Sequence, residues 1–302
     1  MKILGINISH HPSICVYENN IIKEFYNEDR FILEKHWEPT SKNFQVFQSI
    51  LQKINKVDFV CYASFGRTSD NEENEIIKVL QNQLNNPPYF FDITHHHIYH
   101  ALSAFYFSKF NEAIAIIVDG AGALIKDHNP YREFESIYSL KKNNIYPIYK
   151  HNSNRLDQLK EFCNDLKISK YINGVFNNLS QKAIGGRAFV EACLAVGMEA
   201  NDAGKLMGLS SYKYSENKYP LDYDKIEIAA EVQERTFSET CNLIEIAKNY
   251  GKNILLSGGY FLNCSNNFKY VKKYPDLNFF VDPIPNDAGT CIGACLYHEH
   301  YK

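Results

Sequence analysis

The chain has 302 residues, 45% hydrophobic and 22% charged, with a formal net charge of −3. That is ordinary globular usage, enough for an extensive core in two lobes of domain size, and it leaves no global electrostatic footprint for nucleic acid or membrane. The eight cysteines are scattered, lack a C-x-x-C pair and read as buried reduced thiols. No signal-peptide core follows Met1 and no apolar run approaches the ~20 residues of a membrane span, so a cytoplasmic chain is expected.

In chain order, residues 2–8 and 13–17 are apolar and β-branched, and they flank the polar tip Ser9-His10-His11-Pro12. A turn at Glu18-Asn19-Asn20 returns the chain as a third strand over 21–26. Helical spacing over 45–54, a strand over 58–64 and a helix over 71–84 follow, the helix stopped by Pro87-Pro88. A short strand over 89–93 leads to a helix over 96–107 and a buried strand over 113–119. Strands are expected over 136–140 and 145–149, helices over 156–166, 188–196 and 225–250, and strands over 253–256 and 278–282. A small-residue helix over 289–297 closes the chain. Strands, hairpins and helices mix in both halves, which predicts a mixed α/β architecture.

The densest chemical signal is Thr94-His95-His96-His97-Ile98-Tyr99-His100, which holds four of the chain's 11 histidines. His96 and His100 are four apart, so on a helix their rings share one face and can grip one cation. The competing reading is a polar helix start. Two imidazoles need a third ligand, for which Asp287, in Pro285-Asn286-Asp287-Ala288-Gly289, is suited as a carboxylate at the end of a strand; it also reads as a plain helix cap. Val118-Asp119-Gly120-Ala121-Gly122 and Ser257-Gly258-Gly259 resemble phosphate loops, where glycines let backbone amides approach an anion. A tight turn explains either equally well. Lys205, between Gly204 and Gly208, suits an anion or a solvated helix end, and His10 faces either a ligand or solvent.

Together and in order, these segments resemble the O-carbamoyltransferase family of nodulation protein U and antibiotic-tailoring enzymes. Its transferase domain is similar to the tRNA threonylcarbamoyl-adenosine transferase of the actin/Hsp70 superfamily. The matching stretches are Ile3-Leu4-Gly5-Ile6 with His10 and Ser13, Glu28-Asp29-Arg30-Phe31 with Lys35-His36, and His96-His97-x-x-His100-Ala101. Val118-Asp119-Gly120, Gly204-Lys205-x-Met207-Gly208-Leu209, Ser257-Gly258-Gly259-x-x-Leu262-Asn263-Cys264 and Asp287-Ala288-Gly289 complete the set.

The resemblance implies a duplicated two-lobe actin/Hsp70-like α/β fold with an interlobe cleft, the first lobe over 1–110 and the second over 111–302. It implies His96, His100 and Asp287 as ligands of one divalent metal, iron by resemblance. Asp119, Gly120, Gly122, Gly258, Gly259 and Asn263 would cradle ATP or carbamoyl-adenylate, and His10 and Lys205 would be catalytic. The implied reaction moves a carbamoyl group to a hydroxyl on a sugar, a metabolite or a hydroxymethylated nucleotide. Alternatives are threonylcarbamoyl transfer to tRNA and a catalytically silent nucleotide-binding scaffold.

The sequence departs from that family in two places, with His11 where an acidic residue is usual and Ala203 before Gly204. Family members also carry a YrdC-like domain that makes carbamoyl-adenylate from carbamoyl phosphate and ATP, and none follows Lys302. Three expectations stand: a separate YrdC-like protein supplies it, the chain is a fragment, or the activation chemistry differs.

Overall fold

The computed structural model describes residues 1–33, 38–43, 45–54, 56–66, 70–120, 122–125, 131–153, 185–214 and 223–302. The expected helix over 156–166, Lys35, His36 and Cys163 lie outside them.

The first half contains β1 (Lys2–Asn7), β2 (Ser13–Glu18), β3 (Ile21–Asn27), α1 (Glu28–Ile32), α2 (Gln45–Leu51), β4 (Phe59–Ala63), α3 (Asp70–Gln83), β5 (Tyr89–Phe91) and α4 (His96–Ser108). Its strands form one sheet in the order β3-β2-β1-β4-β5. β1 runs antiparallel to β2 and parallel to β4, with Ile6 opposite Ile14 and Tyr62.

The second half contains β6 (Glu112–Val118), β7 (Leu124–Ile125), β8 (Tyr131–Lys141), β9 (Asn144–Ser153), α5 (Gly186–Ala195), α6 (Ala203–Ser210), α7 (Tyr223–Ala247), β10 (Asn253–Ser257), α8 (Cys264–Lys273), β11 (Asn278–Val281) and α9 (Thr290–His300). The second sheet runs β11-β10-β6-β8, with β7 and β9 both paired to β8. Leaving β7 aside, β9-β8-β6-β10-β11 repeats the first sheet strand for strand, with antiparallel pairing on one side of β6 and parallel pairing on the other. The two halves are one design used twice.

Central strands are buried on both faces, which is why β1 reads as a continuous apolar run and not as an alternation. Leu4 and Ile6 pack with Phe47 of α2 and Leu80 of α3, while Ile3 and Cys15 turn to a shared core. That core joins both sheets through α4 and α9: Tyr99, Leu102, Ile292 and Cys295 lie among Ile3, Cys61, Ala115 and Ile117.

The two helices cross closely because Gly293 has no side chain; a Cβ there would run into the Tyr99 carbonyl oxygen. A mid-helix glycine costs about 1 kcal/mol relative to alanine. Each buried Leu or Ile returns about 1.5–3 kcal/mol, so the close crossing wins. Among the described residues no helix is long and apolar enough to cross a membrane.

Three local outcomes differ from the sequence reading or go beyond it. Residues 203–210 form a helix with Lys205 in its first turn and not at its carboxyl end, and neither Gly204 nor Gly208 takes a positive φ. β8 begins several residues before position 136, since β6 pairs it as far as Glu135 and β7 pairs it beyond. Residues 264–273 form a helix despite Ser265, Asn266 and Asn267, because the Asn263 side chain caps it by accepting from the Asn266 amide at 3.2 Å.

Candidate metal and nucleotide site

His96 and His100 leave the first two turns of α4, both fully buried. A spacing of four on the helix sets the rings edge to face, 4.8 Å apart between centroids, and brings the two Nε2 atoms to 3.3 Å. Asp119 enters at the carboxyl end of β6, its Oδ2 3.2 Å from His96 Nε2 and 3.8 Å from His100 Nε2. Asp287 enters from the turn between β11 and α9, its Oδ1 3.7 Å from His96 Nε2 and 3.5 Å from His100 Nε2. One donor atom from each of the four residues lies within 4.8 Å of all the others.

The electrostatics call for positive charge at that point. Burial works against the His96 imidazolium, yet Asp287 and Asp119 outweigh it and hold its pKa above the ordinary value. Burial likewise opposes ionisation of Asp119, but His96 and His100 pull its carboxyl far below the carboxylate range. Asp287 is pushed up by burial and by Asp119, and pulled down further by His96 and His100. Two carboxylates and two neutral imidazoles leave two negative charges, which one divalent cation balances. Mixed nitrogen and oxygen donors of this kind fit a first-row transition metal. The residues fit a metal ion.

The glycine loop lies beside the cluster. Gly258 adopts φ 99°, and a Cβ there would collide with the Val118 carbonyl, so the loop after β10 is pressed against the end of β6. This lets the Gly259 amide donate to Asp119 Oδ1 at 3.3 Å, and the Gly120 amide donates to the same oxygen at 2.8 Å. Around Gly120 a Cβ would meet nothing within 4 Å, so the backbone faces open space there.

His10 sits at the β1–β2 hairpin tip, shaped by Asn7, whose amide donates to the His10 and His11 carbonyls at 2.8 and 3.1 Å. The hairpin is tied to the Asp287 turn: Ser13 Oγ donates to the Ala288 carbonyl at 2.7 Å. Burial lowers the His10 pKa, but Glu38, 3.5 Å away, and the fields of Asp287 and Asp119 raise it above the ordinary value. His11, where an acidic residue was expected, holds Asp29 at 2.6 Å.

Asp119 was read as part of the nucleotide cradle; its Oδ2 stands among the metal-competent donors while its Oδ1 takes up loop amides. Gly122 packs against the buried His97 ring, and its amide donates to the Glu133 carbonyl at 2.8 Å. The Asn263 side chain is committed to Gln233, giving 3.0 Å to its Oε1 and accepting 2.9 Å from its Nε2. Lys205 is 72% exposed and pairs with Asp202 at 2.7 Å, outside the cluster.

Sequence reasoning missed Gly185 and Gly186, which open α5. Gly186 abuts the Asp119–Gly120 backbone so closely that a Cβ would strike the Gly120 nitrogen. The adjacent glycines before an apolar helix were the available signal, of the same kind as Gly258-Gly259.

A twice-repeated sheet unit with its cluster between the halves defines a protein of the actin/Hsp70-like two-lobe class. The family model for the carbamoyltransferase N-terminus matches residues 73–296, and the chain belongs to that family. An uncharacterized protein of Methanocaldococcus jannaschii is 27% identical over 316 residues, covering 97% of this chain and 56% of the relative. An uncharacterized protein of Synechocystis is 25% identical over 242 residues, covering 72% and 38%. The chain therefore spans about half or less of the curated relatives it matches.

Among solved structures, full-length HypF in its phosphate- and nucleotide-bound form superposes with a TM-score of 0.62 at 15% identity, over 99% of this chain and 55% of that one. A ROK-family glucokinase from Streptomyces griseus, in complex with glucose and AMPPNP, gives 0.52 at 11% identity over 99% and 100%. At such identities the likeness establishes the fold.

Proposed function

We propose that this chain transfers a carbamoyl group from carbamoyl-adenylate to an acceptor hydroxyl, using one divalent metal ion and a nucleotide bound beside it. The observation that carries this reading is the convergence of His96, His100, Asp119 and Asp287 within 4.8 Å, next to the glycine loop. Family membership supports carbamoyl transfer as the reaction class.

The acceptor oxygen forms a bond to the carbamoyl carbon, and the bond from that carbon to the adenylate phosphate oxygen breaks. AMP leaves with the bonding pair, and the acceptor proton goes to a base. His96, His100, Asp119 and Asp287 would hold one divalent metal ion, iron by resemblance, which would supply Lewis-acid neutralisation of phosphate charge. Gly258 lets the loop after β10 close on Asp119, whose Oδ1 holds the Gly120 and Gly259 amides, so the two glycine loops stand together as the phosphate cradle, with Gly122 and Asn263 bracing them from behind. His10, on the hairpin tip that Ser13 ties to the Asp287 turn, takes the acceptor proton or steadies the carbamoyl oxygen. Lys205, exposed and paired with Asp202, is given no step.

A separate YrdC-like protein is the proposed source of carbamoyl-adenylate. The proposed acceptors are a sugar, a metabolite or a hydroxymethylated nucleotide. The test is incubation with ATP, carbamoyl phosphate and a YrdC-like protein, screening hydroxylated compounds by mass for carbamoyl addition. Transfer that survives His96→Ala, or nucleotide binding with no transfer to any acceptor, counts against the proposal.

A further inference from the structure

Asp282, at the end of β11, is 2% exposed and stands outside the four-residue cluster. Both of its oxygens are occupied. Oδ2 accepts from the Ser257 hydroxyl at 2.8 Å, and Oδ1 accepts from the Ile284 amide at 2.9 Å. Ser257 is fully buried and directly precedes Gly258. Asp282 thus joins the strand end that carries the glycine loop to the start of the segment that carries Asp287.

The segment packs against the core through Ile284, and the Asp282 amide donates to the Leu256 carbonyl at 2.9 Å. Residues 283–285 read Pro-Ile-Pro, and proline has no backbone N–H, so Ile284 supplies the sole amide donor of the three. Asp282 takes that donor. At the far end the segment is anchored by Ser13 to the Ala288 carbonyl at 2.7 Å, and by Thr290 Oγ1 to the Asp287 carbonyl at 2.6 Å. Asp287 hangs between the two anchors.

We infer that Ser257 and Asp282 form a positioning pair that sets the Asp287 carboxylate against His96 and His100, and so tunes the affinity of the cluster for a metal ion. The inference rests on the metal reading above. Loss of a direct outer hydrogen-bond partner of a metal ligand typically costs about 10–100-fold in affinity; Ser257 and Asp282 act on Asp287 through the backbone at Ile284, so the lower end of that range is the upper bound here.

The test is Mn2+ titration of the purified chain, followed by paramagnetic resonance of the free ion, beside calorimetric titration of ADP without metal. Ser257→Ala is expected to weaken Mn2+ by up to about 10-fold while leaving ADP affinity near wild type; the thermal midpoint falls, because the buried Asp282 carboxylate loses a donor. That split is diagnostic, because general loosening of β10 would weaken ADP first, Gly258 being the next residue. In the Asp282→Ala background, Ser257→Ala is expected to cost nothing more, as for two residues acting as one unit.

Unchanged Mn2+ affinity in Ser257→Ala, a parallel loss of ADP affinity, or equal costs in both backgrounds would overturn the pair. If Asp282→Ala does not fold, the split in Ser257→Ala decides alone. Wild-type protein that binds no Mn2+ removes the metal reading itself, and this inference with it.

Discussion

Asp119 and Gly259, 140 residues apart in sequence, meet at the ends of the paired strands β6 and β10: the Gly259 amide donates to Asp119 Oδ1 at 3.3 Å while Asp119 Oδ2 lies 3.2 Å from His96 Nε2. One carboxylate therefore touches both the glycine loop and the histidine pair. A change in the charge held at the histidines is felt by the loop through a single side chain.

Replacement of cluster members separates their roles. Asp287→Ala and His96→Ala are expected to lose metal by more than the roughly 10–100-fold typical of an outer-sphere change. Asp119→Asn should lose metal too, yet keep an oxygen for the Gly120 and Gly259 amides, so amide exchange at Gly259 should stay near wild type. Elemental analysis of each purified variant and hydrogen exchange read the two effects apart, and unaltered metal content in Asp287→Ala would dismantle the cluster.

Gly258→Ala tests the loop. At φ 99°, with the Val118 carbonyl in the way, a methyl group brings backbone strain on the order of 1–3 kcal/mol together with a steric displacement. The expected result is a lower midpoint in urea and loss of ADP binding, whereas Gly204→Ala, on an open face of α6, should leave both intact.

Glu133 gives a pH signature. It is buried beside Lys150 Nζ at 2.8 Å and His97 Nδ1 at 3.4 Å. Burial pulls the His97 pKa down to about 4, so at neutral pH the ring is uncharged and Lys150 is the cation that matters. Burial raises the Glu133 pKa, but His97 and Lys150 lower it further, leaving a net depression. A carboxyl depressed in the folded state contributes stability that is present above its unfolded pKa of about 4.5 and is lost as pH falls through the folded one. Lys150→Met should therefore flatten the decline in stability below about pH 4.5. Urea midpoints measured from pH 7 to pH 3 with an undiminished acid slope would refute this.

Lys205→Ala is expected to leave metal content and transfer within about twofold, because surface pairs such as Lys205–Asp202 contribute about 0–1 kcal/mol. A large fall in transfer with unchanged metal would restore Lys205 to the reaction.

Much was legible without coordinates. The one-face placement of His96 and His100 follows from a spacing of four on a helix, and the strands from β-branched runs, because both periodicities are local. The close glycine at Gly258 was visible as Gly258-Gly259 after an apolar run. Asp287 was a candidate from its strand-end turn, with the family resemblance setting it above a plain helix cap, and the Gly185-Gly186 contact went unseen although the same kind of signal was present.

Chain order and periodicity alone determined most of the strands and the longer helices, and which histidines share a face, but not α1, α6 or α8. These depend on neighbours within a few residues. Tertiary structure alone decided that Asp119 joins the histidines as well as the loop, that Asn263 serves Gln233, and that Lys205 stands apart. Those outcomes depend on how the two repeated sheets close on α4 and α9, where Gly293 meets Tyr99 and residues distant in sequence are brought within hydrogen-bond reach.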